Sequence, residues 1–157
     1  MRSVRVLMCV MVGTLLLSGL ASAQDQEKRI KRSELPAAVE KAVVAQSQGA
    51  TIRGFSQEKE NGRTFYEAEL TTNGHSKDVL MDEDGNVVEV EEEVALDSIS
   101  PSVGAALQSK AGNGKIVKVE SLTKRGKLVA YEAQVQTNGK KSEIQVGPQG
   151  ESLAHEE

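Results

Sequence analysis

The chain has 157 residues, with 19 Lys and Arg against 23 Asp and Glu, two Phe, two Tyr, no Trp and one Cys. This composition lacks the basic groove with stacking aromatics that single-stranded or duplex nucleic acid needs, so nucleic acid is not an expected partner. The lone Cys9 excludes a disulfide scaffold, and no nucleophile motif, phosphate loop or CxxC pair is present.

Residues 1–23 read as a signal peptide. Arg2 and Arg5 form a charged start, Val6–Leu17 is an apolar run too short to span a bilayer comfortably, and Ala21-Ser22-Ala23 is a cleavage site. The mature chain from Gln24 is therefore expected to be exported, either periplasmic or secreted. No second apolar run follows, so no stable membrane insertion is expected. The remaining 134 residues contain no cysteine, and that length can bury enough surface to fold without covalent staples. Charge is uneven: residues 24–97 carry 17 acids and 9 bases, residues 98–157 carry 6 acids and 8 bases. The two halves should attract each other.

Residues 24–32 are polar and read as a disordered lead-in. Ser33–Gln48 reads as a helix, with Leu35, Val39, Ala42 and Val43 on one stripe, Ser33 as cap and Pro36 in the first turn. Strands follow over Ala50–Glu58, Arg63–Thr72, Ser76–Met81 and Asn86–Glu93. Residues 95–98 form a short linker. A second helix opens with Ser100 as cap and Pro101 in its first position, and Gly112-Asn113-Gly114 closes it. Strands are expected again over Lys115–Leu122, Leu128–Gln136 and Lys141–Val146, with a fourth stub at Glu151–Ala154.

The two runs of elements share sequence. Tyr66-Glu67-Ala68-Glu69-Leu70-Thr71-Thr72-Asn73-Gly74 matches Tyr131-Glu132-Ala133-Gln134-Val135-Gln136-Thr137-Asn138-Gly139 at an offset of 65 residues, identical at six of nine positions. The same offset pairs Pro36 with Pro101 and Gly85 with Gly150. Such a period marks a duplicated unit. In each copy the side chains alternate, which is the mark of a strand with one buried face, and Asn-Gly suits a two-residue hairpin turn. The expected fold class is thus α+β: two tandem α-β-β-β-β repeats, residues 33–94 and 99–154, with both helices on one face of antiparallel sheet. Tyr66, Ala68, Leu70, Val79 and Met81 should lie under the first helix. Tyr131, Ala133, Val135, Ile144 and Val146 should lie under the second.

Leu35-Pro36-x-x-Val39 opening a helix, Tyr66-Glu67-Ala68 in the second strand, and Asp82-Glu83-Asp84-Gly85-Asn86-Val87-Val88 before the last strand resemble the PepSY-like domains. These are grouped with the β-lactamase-inhibitory-protein fold, itself a tandem repeat. The resemblance covers residues 34–94 and, more weakly, 99–154, where Gly147-Pro148-Gln149-Gly150 replaces the acidic turn. It implies an exported binding or inhibitory module with helices on one face of a curved sheet. It does not imply a β-lactamase target, because the lactamase inhibitors carry disulfides and this mature chain has no cysteine.

No catalytic residue is expected. Glu67 and Glu69 are spaced as acid/base pairs can be, but copy two has Glu132 and Gln134 there and no other site group stands nearby. His75 falls in a turn where copy two has Lys140, so it reads as a solvated position. His155 lacks any spaced partner. Asp82-Glu83-Asp84-Gly85 departs from the calcium-loop pattern, with Gly at position four rather than six. No metal site and no cofactor are expected. The sheet face away from the helices is the candidate interface. In copy one it should carry Phe55, Phe65, Glu67, Glu69, Leu80, Val87 and Glu89, and in copy two Glu120, Ala130, Glu132, Gln134 and Gln145. Apolar anchors among carboxylates point to a partner protein with a basic patch. The function expected is a non-enzymatic exported protein-binding module, an inhibitor or regulator of an envelope or secreted enzyme. The alternative is a small-ligand or divalent-cation binding protein of the cell envelope.

Overall fold

The computed structural model describes residues 27–157, so the expected signal peptide at residues 1–23 lies outside the described residues. Among the described residues, eight strands form one antiparallel sheet in strict sequence order. They are β1 (Lys28–Ile30), β2 (Thr51–Glu60), β3 (Arg63–Thr72), β4 (His75–Asp82), β5 (Val87–Glu93), β6 (Lys115–Lys124), β7 (Lys127–Thr137) and β8 (Lys140–Val146). Helix α1 (Ala37–Gln46) precedes β2, and α2 (Pro101–Ala111) precedes β6. The class is α+β. One helix followed by four strands is succeeded by one helix followed by three. No described helix is long and apolar enough to cross a membrane.

Turn chemistry sets the hairpins. Asn61-Gly62, Asn73-Gly74, Arg125-Gly126 and Asn138-Gly139 all have positive φ at both residues, the geometry that matches strand twist in a two-residue hairpin. α2 starts as its sequence requires, with the Ser100 hydroxyl accepting the Val103 amide at 3.3 Å and Pro101 where no N–H is needed. α1 starts later than Ser33. Leu35 and Pro36 are extended (ψ 137° and 149°), because proline bars its predecessor from helical geometry. Residues 32–34 instead make a 3-10 turn, with the Glu34 carboxylate accepting the Lys31 amide at 2.8 Å.

Two further expectations are corrected. The lead-in is ordered from residue 28, where β1 pairs with β2 through Lys28–Gln57, Arg29–Ser56 and Ile30–Phe55. No strand forms at Glu151–Ala154. Across the linker β5 pairs with β6 through Glu89–Lys124, Val90–Thr123, Glu91–Leu122, Glu92–Ser121 and Glu93–Glu120, so both runs of strands share one sheet.

Both helices lie on the same face. Val39 and Val43 of α1 pack on Tyr66, Ala68, Leu70, Val79 and Met81, and Val103 and Leu107 of α2 pack on Val119, Ala133 and Val146. Register carries this face across the sheet, from Val79 to Val90 to Thr123 and from Ser121 to Tyr131 to Val146. The turns before β5 and after β8 are pressed under the helices. A Cβ at Gly85 would sit 2.5 Å from the Ala38 carbonyl oxygen, and one at Gly150 2.7 Å from that of Ser102. Both glycines also have positive φ, so no other residue fits either position without strain.

The core assignment predicts that Leu70→Ala lowers the unfolding free energy by ~2–5 kcal/mol in urea titration. Val44→Ala, at a position 51% exposed, should stay within about 0.5 kcal/mol of the parent. Equal losses would contradict the face assignment.

Candidate functional site

The face opposite the helices carries a carboxylate on every strand from β2 to β8: Glu58, Glu67, Glu69, Asp78, Glu89, Glu91, Glu93, Glu120, Glu132 and Glu143. Directly opposed residues share a face, and the rows run Ser56–Glu67–Leu80–Glu89–Lys124, Gly54–Glu69–Asp78–Glu91–Leu122–Ala130 and Glu93–Glu120–Glu132–Gln145. Some of this charge is answered by cations of the described residues. Arg29 of β1 pairs with Glu69, Lys118 with Glu120 at 2.6 Å, and Lys124 with Glu89 at 3.8 Å.

Burial, with crowding behind it, shifts several carboxyls toward the neutral form. Burial, reinforced by Asp78, Glu27, Glu69 and Glu58, pushes Glu67 up to about 8. Asp78 is raised to about 6, again by burial first, with Lys118 pulling it down and Glu120 and Glu69 pushing it up. Burial raises Glu132 and Glu143 as well. Glu132 accepts a hydrogen bond from Gln145 Nε2 at 2.8 Å. In the same row the Ser76 amide (3.1 Å) and hydroxyl (3.2 Å) bind the Glu93 carboxylate and hold it below the ordinary range against the effect of burial.

The predicted interface residues divide. Glu67, Glu69, Phe65 and Leu80 lie on the open face, as do Glu89, Glu120, Ala130, Glu132, Gln134 and Gln145. Phe65 and Leu80 are only 7% and 6% exposed, so they fill gaps between the charged side chains and are not free anchors. Arg63 stacks over the Phe65 ring, 5.1 Å from its centroid. Phe55 and Val87 lie on the helix face instead, packed in the first core cluster. The cause is two β-bulges. The extra residue between Ile52 and Gly54 turns Phe55 to face Ala68, and the irregularity at Leu80/Met81 sets Val87 against Met81.

Register also assembles a group that single-strand alternation does not reveal. Carboxylate oxygens of Asp78, Glu91 and Glu120 lie within 4.8 Å of one another. The three come from β4, β5 and β6, and only the pairing of β5 with β6 joins them. The Lys118 ammonium at Glu120 already supplies positive charge here, and its own pKa is raised by Glu120, Asp78 and Glu93 against the effect of burial. Lys118 was legible in the sequence, being two residues before Glu120 and so on its face.

The acidic turn is structural. Asp82 Oδ1 accepts the amides of Asp84 (3.1 Å) and Asn86 (2.9 Å), and the Asn86 side chain binds both Asp82 oxygens. These bonds outweigh burial and hold Asp82 below the usual range. His75 is exposed and stands 3.6 Å from Glu93.

No family model matches the chain, and no curated protein does. Solved structures do share its fold. A BLIP-like protein from Bacteroides fragilis is 23% identical over 77% of this chain and 85% of its own, with a TM-score of 0.57. A DUF2874 family protein from Bacteroides ovatus is 23% identical over 74% and 82%, with a TM-score of 0.57. A protein from Bacteroides eggerthii, provisionally described as periplasmic, is 21% identical over 74% and 84%, with a TM-score of 0.60.

The raised carboxyls make stability pH-dependent. The fold favours protonated Glu67 and Asp78 over their ordinary 4.5 and 3.8. Their contribution is complete below about pH 4 and is lost as pH rises through about 6 for Asp78 and about 8 for Glu67. The melting temperature should fall from pH 5 to pH 9, and Glu67→Gln should reduce that fall. Parallel melting curves for parent and variant would contradict the assignment.

Proposed function

We propose that the chain is an exported, non-enzymatic protein-binding module whose open sheet face holds a basic patch on an envelope or secreted protein, acting as an inhibitor or regulator of it. The observation that carries this reading is the open face itself. Carboxylates from seven neighbouring strands converge on it, and among the described residues Arg29, Lys118 and Lys124 pair with Glu69, Glu120 and Glu89. Neighbouring carboxylates on such a face repel one another, adding to the burial that raises Glu67 and Asp78, and a cationic partner relieves that repulsion. The signal peptide reading and the provisionally periplasmic structural neighbour support export. The BLIP-like neighbour supports an inhibitory role at the level of fold. The matched segments at an offset of 65 residues support descent from a duplicated PepSY-like unit.

A second reading, a divalent-cation binding protein, draws on the Asp78, Glu91 and Glu120 group. The Lys118 ammonium weighs against it by filling the same electrostatic role. Calcium-titrated melting separates the two, since a saturable rise at sub-millimolar calcium is expected only of the second.

The test of the first reading starts from a pull-down with the chain from Gln24 onward in an extract of its own envelope. Glu67→Lys and Glu69→Lys should each weaken capture of the recovered partner, chiefly through slower and less salt-dependent association. Lys41→Glu on α1 should bind like the parent. The reverse pattern would place the contact on the helices.

A further inference from the structure

Among the described residues the sheet ends at β8, and β8 does not have what its counterpart β4 has. Residues Lys77–Met81 of β4 are covered on their outer edge by β5. At the 65-residue offset these positions are Ser142–Val146, the main part of β8, and no described strand pairs with their outer edge. The turn that should deliver such a strand is nevertheless present. The Asp82 amide bonds the Asn86 carbonyl at 3.0 Å and the Gly85 amide the Asp82 carbonyl at 2.9 Å; the Gly147 amide bonds the Glu151 carbonyl at 2.8 Å and the Gly150 amide the Gly147 carbonyl at 2.9 Å. Beyond this turn the paths diverge. Val87–Glu93 runs on as β5, whereas residues 151–157 turn onto the open face, where the Glu157 amide donates to Gln145 Oε1 at 2.8 Å and its carboxylate lies 3.4 Å from Lys124 Nζ.

The two-residue Asn138-Gly139 turn fixes which groups of β8 point outward. Thr137 and Lys140 close the hairpin, so Lys140, Ser142, Ile144 and Val146 bond to β7. The N–H and C=O groups of Lys141, Glu143 and Gln145 point away from it. Lys110 Nζ caps one of them, the Gln145 carbonyl, at 2.7 Å. The missing neighbour also leaves apolar surface open: Val79 is fully buried beneath α1 with Val90 beyond it, but its counterpart Ile144 is only half-buried. At the start of the strand, Ser76 and His75 hold Glu93 of β5, and the equivalent positions are Lys141 and Lys140, both exposed.

We propose that the outer edge of β8 is a strand-addition site for an extended segment of another protein, one that carries apolar residues for the Ile144 side and an acidic C-terminal end for Lys140 and Lys141. Running antiparallel to β8, it completes the second half of the sheet as β5 completes the first. Main-chain hydrogen bonds supply affinity, and side-chain alternation with the lysine pair supplies selectivity. This site is separate from the open face and selects the opposite charge.

The chain's own β5 segment is the probe. A synthetic peptide of residues 85–94 is titrated into 15N-labelled protein, and the amides of Lys141, Glu143 and Gln145 should shift and saturate. Glu143→Pro removes one outward N–H without touching the β7 ladder and should weaken binding about tenfold or more. Lys140→Glu with Lys141→Glu should weaken it at low salt, and a peptide with lysine in place of Glu91–Glu93 should restore it. If Glu143→Pro fails to fold, as read by circular dichroism, this charge exchange decides. Shifts confined to the open face, unchanged binding by Glu143→Pro, or no rescue by the lysine peptide would overturn the proposal. So would slow amide exchange at Lys141 and Glu143 in the free protein, since the edge would then already be covered by residues 151–157 or by a second copy.

Discussion

The pairing of β5 with β6 is the contact on which the rest of the molecule depends. Each helix covers only a small cluster, with Val39 and Val43 at the centre of one and Val103 and Leu107 at the centre of the other. A core of that size is marginal by itself. The five paired positions from Glu89–Lys124 to Glu93–Glu120 convert two such layers into one eight-stranded sheet. The Val94 amide extends the junction by bonding the Val119 carbonyl at 2.9 Å. The same pairing brings the acidic end of β5 against β6, where Lys124 meets Glu89 and Lys118 meets Glu120. Of these, Lys124–Glu89 joins the acidic half to the basic one, and Asp78 and Glu93 act on Lys118 across the same junction, whereas Lys118–Glu120 lies within β6.

The pairing also creates the electrostatic problem of the open face. A pleated strand sends alternate side chains to opposite faces, so an apolar helix face leaves the charged residues together on the other. Carboxylates on adjacent strands are then close enough to repel. The molecule answers in three ways. It pairs some with Arg29, Lys118 and Lys124, it binds Glu93 and Glu132 with neutral donors, and it keeps Glu67 protonated well into the neutral range. Phe65, Leu80 and Leu122 fill the spaces between them, which deepens the desolvation that raises the carboxyls.

Much of this architecture follows from the amino-acid sequence. Alternation placed Tyr66, Ala68, Leu70, Val79 and Met81 beneath α1, because the period of a strand is a local property of its backbone. The Asn-Gly and Arg-Gly turns and the Ser100 cap were legible for the same reason: each is satisfied by hydrogen bonds within a few residues. Glu67 and Glu69 were correctly assigned to the open face on these grounds alone.

What the sequence left open concerns residues that meet from far apart. The bulges that turn Phe55 and Val87 to the helix face depend on the partner strand, since one extra residue reverses every later side chain. The ordering of Lys28–Ile30 depends on an edge of β2 that exists only once β2 and β3 have paired. The Asp78, Glu91 and Glu120 group needs three strands in register. The fate of residues 151–157 is the clearest case. Their turn repeats the geometry at Asp82–Asn86 bond for bond, so local chemistry sends both segments back along the sheet. Val87–Glu93 has β6 on its far side and becomes a strand, whereas no described strand pairs with the outer edge of β8, and residues 151–157 settle instead on Gln145 and Lys124.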